Sequence, residues 1–288
     1  MLHELPLDAA NLHGYFSRDL APALTVAPGD SIRISVPNAG WHVARDELLP
    51  ARSPELDTGH PLAGPVEVRG ARAGHVLAVR VDEVVPGPWG VTFAEPQHRI
   101  DWELADGIGH WTGHGAGRSV RLASFLGVLG MPPAEPGVHS TIPPRRCGGN
   151  IDCKELVAGT TLFLPVPIDG ALFSSGDGHA AQGDGEVSGT AIEAPVEATL
   201  TLDLRDDLSL EWPIARIEGA WLTFGFDEHL GLAARIAVDG MLDLLEREHG
   251  LSRADALGFA SVCVDLRVTQ VVNQVLGVHA VLRDDAFV

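Results

Sequence analysis

The segment GPVEVRGARAGHVLAVRVDEVV, residues 64–85, indicates the class of fold that this chain adopts. Val66 and Val68 alternate with other residues on its first arm, and Val79 and Val81 do so on its second. Alternation at period two is typical of β-strands with one buried face, and the glycines between the arms indicate a turn. The segment is therefore predicted to form a strand, a turn and a second strand.

The same design recurs elsewhere in the chain. Residues 24–36, LTVAPGDSIRISV, have two alternating arms on either side of a Pro-Gly-Asp turn. Further strands are predicted at 160–168, 186–193, 196–204 and 217–226. Many short strands separated by Gly/Pro turns favour two packed sheets or a closed sheet. We therefore predict a mainly β fold of β-sandwich or barrel-like type.

The C-terminal part of the sequence has helical spacing. Asp227 is positioned to cap an amphipathic helix whose apolar residues recur every three or four positions until Gly250. Ser252 indicates the start of a second, shorter helix, and residues 262–268 (VCVDLRV) alternate as a last strand would. The fold prediction therefore includes a helical C-terminal segment. By contrast, residues 86–150 show little periodicity and are predicted to be a long irregular excursion.

The domain organisation follows from length and hydrophobicity. The chain has 288 residues, of which 45% are hydrophobic, enough for one sizeable core. We expect a single domain over residues 1–288, with a β lobe over 1–205 and a β plus helical lobe over 206–288.

Charge and cysteine content limit the partners and the compartment. The formal net charge is −19, which disfavours binding to nucleic acid or anionic lipid and suits a neutral or cationic small molecule. No apolar stretch is long enough to cross a bilayer, and the N-terminal residues lack a signal-peptide pattern. Three cysteines are too few for a disulfide framework. A cytoplasmic protein is expected, and a homodimer is the commonest assembly for such a protein.

The segment 170–193, GALFSSGDGHAAQGDGEVSGTAIE, carries the densest group of chemically active residues. On a strand, Asp177 and His179 would point to the same face, and so would Asp184 and Glu186. Carboxylates beside a neutral imidazole are ligands that zinc and similar divalent ions use. The competing interpretation is a solvated loop, because Gly-Asp pairs are common in turns.

A divalent ion in this position would meet a definite chemical need. It would polarise a carbonyl group and lower the pKa of coordinated water from 15.7 toward about 7. A nearby carboxylate, Glu186 or Asp184, could then take a proton and return it to the leaving group. Zinc is the expected ion, while manganese, iron or calcium would also accept such ligands.

Five ordered motifs resemble the acetamidase/formamidase family, and together they cover nearly the whole chain. They are LHGYFSRDLAPALTVAPGD (12–30), TGHPLAGPVEVRGA (58–71), FLGVLGMPPAEPGVHSTIPPRRCGGNID (125–152), LFLPVPIDGALFSSGDGHAAQGDGEVSGTAIE (162–193) and LSRADALGFASVCVDLRVTQVVNQVLGVHAVL (251–282). The fourth motif is the most specific of the five. The resemblance implies a mainly β fold with a helical C-terminal segment, a bound divalent metal, and hydrolysis of short aliphatic amides to a carboxylate and ammonia.

The resemblance also implies a set of site residues. The metal ligands that it suggests are His60, Asp152, Asp177 and His179. The catalytic residues that it suggests are Glu186 as general base, with Asp184 and Gln182. Asn150 and Glu193 are further candidates. Two segments, 37–57 and 86–120, do not follow the family pattern, and substrate selectivity could be set near them, so the resemblance does not specify the preferred amide.

Alternatives to this mechanism remain open at the level of sequence. Ser174 and Ser175 with Lys154, the only lysine, are the residue types of a serine amidase. Cys153 is interpreted as a buried structural thiol. The chain could instead be a metal-bearing β module that binds a small ligand without catalysis, or a hydrolase of another C–N bond.

Four further histidines have structural roles as alternatives to a place in the site. His13 suits a site or a packed, hydrogen-bonded position equally well. For His42, and for the pair His110 and His114, surface or packing roles are favoured.

Overall fold

The computed structural model describes residues 1–95, 97–111, 113 and 117–287. The strands, in chain order, are β1 (Leu2–Leu5), β2 (Leu12–His13), β3 (Leu24–Val26), β4 (Asp30–Val36), β5 (His42–Ala44), β6 (Glu47–Leu48), β7 (Leu62–Val68), β8 (Val76–Pro86), β9 (Trp89–Glu95), β10 (His98–Ala105), β11 (Ile108–Trp111), β12 (Arg118–Arg121), β13 (Phe125–Gly130), β14 (Gly148–Asn150), β15 (Thr161–Pro165), β16 (Phe173–His179), β17 (Val196–Arg205), β18 (Ile214–Ile217), β19 (Ala220–Asp227), β20 (Val264–Gln270) and β21 (Leu276–Arg283). The α-helices are α1 (Leu230–His249) and α2 (Arg253–Cys263), and short 3₁₀ turns lie at Ala9–Asn11 and Asp284–Ala286. The mainly β prediction with a helical C-terminal segment is confirmed.

Two large sheets enclose the main core. The larger has nine strands in the order β1-β4-β17-β8-β15-β18-β19-β21-β20. The second has the order β14-β13-β16-β7-β2, with β3 paired to β7. One buried cluster contains Ile34 and Val79 from the first sheet together with Val66 and Leu126 from the second. Apolar faces of both sheets therefore bury each other, as in a sandwich.

The arms predicted at residues 64–85 and 24–36 form strands, but each pair separates after its turn. β7 joins the smaller sheet and β8 the larger one, and β3 and β4 divide in the same way. Each turn therefore carries the chain from one layer to the other, and neither forms a hairpin. The alternation that predicted the strands carries no information about their partners.

The prediction of an irregular excursion over residues 86–150 is wrong. β9 to β12 form a four-stranded antiparallel sheet in the order β12-β11-β10-β9, and β13 and β14 follow. Strand β10 is mostly exposed, and every residue of β12 is exposed. Strands with little buried apolar surface have no clear hydrophobic period, which is why the sequence pattern missed them.

Two predicted strands are also corrected. Residues 186–193 form turns with isolated bridges in place of a strand, because Glu186 adopts φ 45° and its N–H bonds to the carbonyl of Gly183. The stretch 217–226 is divided between β18 and β19 by a turn at Gly219, where φ is 71°. The strands predicted at 160–168, 196–204 and 262–268 correspond to β15, β17 and β20.

The C-terminal helix α1 packs against β19 and β21 of the nine-stranded sheet. Gly225 permits this close approach, because a Cβ there would lie 2.0 Å from the carbonyl oxygen of Ala233 in the helix. Asp227 Oδ1 accepts from the N–H of His229, so the helix begins two residues later than predicted. Gly250 ends α1 in the left-handed conformation, and the side chain of Ser252 caps α2, both as predicted.

Strands on both sides of residue 205 take part in the nine-stranded sheet, since β18 pairs with β15. Within the described ranges, neither helix is long and apolar enough to cross a membrane.

Candidate metal centre

Three neighbouring strands of the smaller sheet bring the candidate residues together. β13 lies between β14 and β16, so Asn150 at the end of β14 stands opposite Val128. Asp177 and His179 lie at the C-terminal end of β16, and Asp152 follows the end of β14 by two residues. The spacing of these residues in the sequence is long, but the pairing of the strands makes them neighbours.

His179 lies at the middle of this group. Its Nε2 is 3.4 Å from Asp177 Oδ1, 3.4 Å from Glu193 Oε2 and 4.0 Å from Glu186 Oε1. Its Nδ1 is 3.8 Å from Asp152 Oδ1. Glu193 reaches the group because it forms an isolated bridge with His179 across from β16. All five side chains are buried, so four carboxylates and one imidazole share a small volume away from water.

Three of these residues hold their backbone in the left-handed region that non-glycine residues seldom adopt. The φ angles are 51° for Asp152, 61° for Asp177 and 45° for Glu186. Each such residue costs of the order of 1 kcal/mol or more, so the surrounding structure must stabilise it. Local backbone strain of this kind concentrates at functional sites, and here it occurs in three carboxylate residues of one cluster.

Glu186 enters the group through a loop that is anchored on β20. The Gly185 N–H donates to the carbonyl of Thr269, and the Val271 N–H donates to the carbonyl of Gly185. The loop therefore adds a short parallel contact at the end of β20 and directs Glu186 toward the carboxylates. Asp184, one residue earlier than the anchor, lies on the outer side.

Gly127 of β13 provides the room in front of these residues. A Cβ at this position would lie 2.4 Å from Asp152 Oδ1, 2.5 Å from Asp177 Oδ2 and 3.0 Å from His179 Cε1. A side chain as small as that of alanine would therefore occupy the space between the ligand atoms. The glycine leaves a concavity of atomic size that is lined by two carboxylates and an imidazole.

Several oxygens of the candidate residues are buried and have no hydrogen-bond partner among the described residues. They are Asn150 Oδ1, Asp152 Oδ1, Asp177 Oδ1 and Glu193 Oε2. A buried carboxylate oxygen without a partner is costly, and a cation satisfies several at once. Together with the space at Gly127 and the donor types, this shows that the residues fit a divalent metal ion.

The charges of the group push its pKa values apart. Burial raises the pKa of Asp152 to about 6 against the attraction of His179. Burial, followed by repulsion from Asp152, raises the pKa of Glu186 to about 10. Burial opposes ionisation of Asp177 as well, but attraction by His179 and then His60 outweighs it and holds that pKa well below its usual range.

The imidazole responds in the opposite direction. Burial acts to lower the pKa of His179, but the charges of Glu193 and Asp177 outweigh it, so the pKa lies well above its usual range. Without a metal, the imidazolium is the positive charge that these carboxylates surround. A divalent cation would compete with that proton, since a metal ligates only the neutral ring.

Two amide side chains fix the orientation of the ligands. Gln182 Oε1 lies 3.0 Å from His179 Nδ1, and Gln182 Nε2 donates to the carbonyl of Asp152 at 2.8 Å. When His179 Nδ1 carries the proton, it donates to Gln182 and leaves the Nε2 lone pair facing Asp177 and Glu193. Asn273 Nδ2 donates to Asp152 Oδ2 at 2.5 Å.

His60 approaches from the side of the smaller sheet that carries β7. Its Nδ1 lies 2.9 Å from Thr141 Oγ1, so Nε2 is the ring nitrogen available to a ligand. Its charge acts on both Asp152 and Asp177. His60 and Glu193 also line a cavity of about 490 Å³ that adjoins the group.

The profile of the Acetamidase/Formamidase family matches residues 3–136 and 134–282. The chain belongs to this family.

Individual relatives agree with the family match at low identity. An acetamidase from Mycolicibacterium smegmatis is 26% identical over 248 residues, covering 61% of each protein. The chain spans about 60% of the length of the curated relatives that it matches. Among solved structures, an acetamidase from Bacillus halodurans has a TM-score of 0.87 at 26% identity, with 97% of both chains covered. An acetamidase from Yersinia enterocolitica has a TM-score of 0.89 at 25% identity, covering 99% of this chain and 92% of that one.

In this family member, Asp184 lies apart from the other acidic candidates. Its Oδ2 accepts from Arg267 Nη2 at 2.7 Å, and its Oδ1 is 3.4 Å from Lys154 Nζ. About a third of its side chain is exposed. The prediction that Asp184 and Glu186 converge through strand alternation is wrong, because no strand runs through them.

A second group of metal-ligand types, Cys153, Glu155 and His279, lies behind the site. Its carboxylate is already paired, with Arg267 Nη1 2.6 Å from Glu155 Oε1. Burial, followed by repulsion from Glu155, raises the pKa of the Cys153 thiol well above its usual range. Cys153 is buried as expected for a structural thiol.

The serine hydroxyls of the family member have structural partners. Ser175 Oγ donates to the carbonyl of Val128 at 2.8 Å, and Ser174 Oγ lies 2.9 Å from His13 Nε2. Lys154 lies with Glu155 and Asp184. The three groups of the serine mechanism therefore have separate environments.

The remaining histidines are placed as follows. His13 is fully enclosed and also contacts the carbonyl of Tyr15. His42 lines the cavity. His110 is exposed and pairs with Ser119, while His114 lies outside the described residues.

Proposed function

We propose that this chain hydrolyses primary amides to a carboxylate and ammonia, using a divalent metal ion held at the centre described above. Zinc is the ion that we expect first. The proposal is supported above all by the convergence of Asp152, Asp177 and His179 on the space that Gly127 leaves free. Glu193 Oε2 lies 3.4 Å from His179 Nε2 and adds a fourth donor. Membership of the acetamidase/formamidase family supports the choice of an amide as substrate.

The ligands we propose are Asp152, Asp177 and His179 through Nε2, with His60 and Glu193. When bound, a divalent cation polarises an amide carbonyl and makes water a better nucleophile. Gln182 acts on His179 by holding Nδ1 as the protonated nitrogen, so it positions a ligand and does not contact the substrate. Asn150 lies beside Asp152 and offers a further oxygen, Oδ1.

Glu186 is the residue that we propose as general base. Its Oε1 lies 4.0 Å from His179 Nε2, close enough to take a proton from a water held at the ligands. Its raised pKa fits a group that holds a proton and passes it to the leaving amine. Neighbouring positive charge would lower that pKa toward neutrality, where the carboxylate can first accept the proton.

The test is ammonia release from a panel of primary amides by the purified chain. The protein is assayed as metal-loaded, after chelation, and after zinc or manganese is restored. We expect activity that chelation removes and metal restores, and that Asp177→Asn removes while Asp184→Asn keeps. Activity that survives complete chelation would overturn the proposed metal dependence. No ammonia release from any amide in the panel would overturn the proposed hydrolase activity.

A dimeric assembly and a cytoplasmic location stay predictions.

A further inference from the structure

The cavity beside the centre is larger than a short amide requires. It encloses about 490 Å³ and reaches the proposed ligands at His60 and Glu193. Pockets of roughly 300–1,000 Å³ accommodate drug-sized ligands. Acetamide carries a single methyl group on its carbonyl and formamide carries none, so most of the cavity would remain filled with water around either.

The walls of the cavity are largely apolar and aromatic. Trp41, Trp89, Val91, Phe93 and Ile142 line it. Apolar walls release free energy when a ligand displaces water from them, in proportion to the apolar area covered. A small polar amide would leave most of this surface in contact with water, and this gain would be lost. The lining therefore favours an occupant with a bulky apolar group.

Trp41 is held at the cavity by a strained turn. Its φ is 65°, a conformation that bulky residues rarely adopt. Asn38 maintains the turn, since its Oδ1 accepts from the N–H groups of Gly40 and His42. The indole Nε1 donates to the carbonyl of Gly59 at 2.9 Å, next to the proposed ligand His60. A costly backbone conformation thus fixes an aromatic ring beside the centre.

The cationic residues of the lining already have partners. Arg45 donates to Asp101 Oδ1 at 3.1 Å and to the carbonyl of Trp102 at 2.8 Å. Arg99 donates to the same Asp101 oxygen through Nε and Nη2. The two guanidinium groups share the carboxylate of Asp101, and two further carboxylates, Asp57 and Glu193, line the cavity. The lining therefore favours an uncharged occupant over one with a carboxylate.

We infer that the cavity receives the acyl substituent of the substrate. The preferred substrates are then primary amides with a neutral aromatic or similarly bulky apolar group, such as 2-phenylacetamide, and not formamide or acetamide. The inference rests on the proposed function, in which the adjoining centre hydrolyses the amide. It assigns the choice of amide to the residues that form the cavity walls.

The experiment compares kcat/KM for formamide, acetamide, 2-phenylacetamide and 4-carboxyphenylacetamide with the metal-loaded chain. We expect 2-phenylacetamide to exceed acetamide by about tenfold or more, because one apolar group that a pocket accommodates changes selectivity roughly 10–200-fold. Calorimetric titration of the metal-free protein should also show tighter binding of 2-phenylacetamide than of acetamide. This readout does not depend on turnover.

Ile142→Trp tests the cavity itself by narrowing it. The variant should lower the ratio of kcat/KM for 2-phenylacetamide over acetamide by about tenfold. Val138→Trp is the matched control, since Val138 is exposed nearby and does not line the cavity; its ratio should stay at the wild-type value.

The outcomes separate the two proposals. Turnover of acetamide or formamide with kcat/KM equal to or above that of 2-phenylacetamide overturns the inference and leaves the amide hydrolase standing. A higher kcat/KM for 4-carboxyphenylacetamide than for 2-phenylacetamide overturns the inference that the cavity receives an uncharged group. Calorimetric binding of 2-phenylacetamide without ammonia from any amide overturns the hydrolase, and this substrate assignment with it, and leaves a binding cavity.

Discussion

The position that a Cβ would take on Gly127 lies 2.4 Å from Oδ1 of Asp152. This relationship joins a strand glycine to a carboxylate 25 residues later, and it defines the free space of the proposed centre. The backbone of Gly127 does not need a positive φ, since it is absent from the described glycines of that kind. What excludes other residues from this position is therefore the carboxylates themselves.

Gly127→Ala should remove metal binding and leave the fold intact. The added methyl group would occupy the space between Asp152, Asp177 and His179, where the contacts of 2.4 to 3.0 Å are too short for a Cβ. Metal content after loading and dialysis measures the effect, and circular dichroism checks the fold. Gly183→Ala is the matched control, because a Cβ there meets nothing within 4 Å. A folded Gly127→Ala protein with full metal content would contradict the assignment.

Asn273→Ala should weaken metal binding about 10–100-fold, the usual effect of losing a hydrogen-bond partner of a ligand. Its Nδ2 donates to Asp152 Oδ2, and without it this carboxylate could rotate away from the centre. Competition with a chelator of known affinity gives the dissociation constant. Asn11→Ala serves as control, since the Asn11 side chain makes a solvent-exposed hydrogen bond to the carbonyl of Pro6. Unchanged affinity in Asn273→Ala would mean that Asp152 is held by other contacts or is not a ligand.

The strands that the sequence predicted best are those with one fully buried face. Leu200 and Leu202 of β17 are fully buried, and β17 lies between β4 and β8 in the nine-stranded sheet. Their alternation is therefore complete, and the strand was predicted almost to its ends. Strand partners could not be predicted, because alternation specifies a face and not a neighbour. β10 and β12 were missed because their exposed residues leave no apolar period.

The residues of the candidate site also differ in whether the sequence alone could identify them. Asp177 and His179 could be paired from the sequence because they are two residues apart on one strand. Asp152 was identified only by resemblance, and Glu193 was a candidate without an assigned role, since their approach to His179 depends on pairing between distant strands. Gly127 and Asn273 were not identified at all, although a polar cluster inside the apolar tail at 269–274 was a signal for the latter. The unmatched segments 37–57 and 86–120 supply much of the cavity wall.

Glu186→Gln should reduce kcat far more than Asp184→Asn. General acid–base catalysis contributes about 10²–10⁴-fold, and Glu186 is the carboxylate positioned for it, so a loss in that range is expected. Asp184 pairs with Arg267 at the surface, where the loss of one ion pair changes little. Steady-state kinetics on metal-loaded protein measure both. Equal losses would contradict the assignment of Glu186 as the general base. A larger loss for Asp184→Asn would assign that role to Asp184.

His13 should make the protein less stable as the pH falls from 7.5 to 5. Burial lowers the pKa of His13 from 6.5 to about 4, so between these values the unfolded chain binds a proton that the folded chain does not. The neutral ring therefore stabilises the fold fully above pH 6.5 and loses that contribution as the pH falls toward 4, which amounts to about 2 kcal/mol by pH 5. Urea unfolding at the two pH values measures the difference for wild type and for His13→Gln. The variant should lose about 2 kcal/mol of that pH dependence, whereas His98→Gln, at an exposed position, should keep it; the same pH dependence in all three proteins would mean that His13 is not the group that titrates.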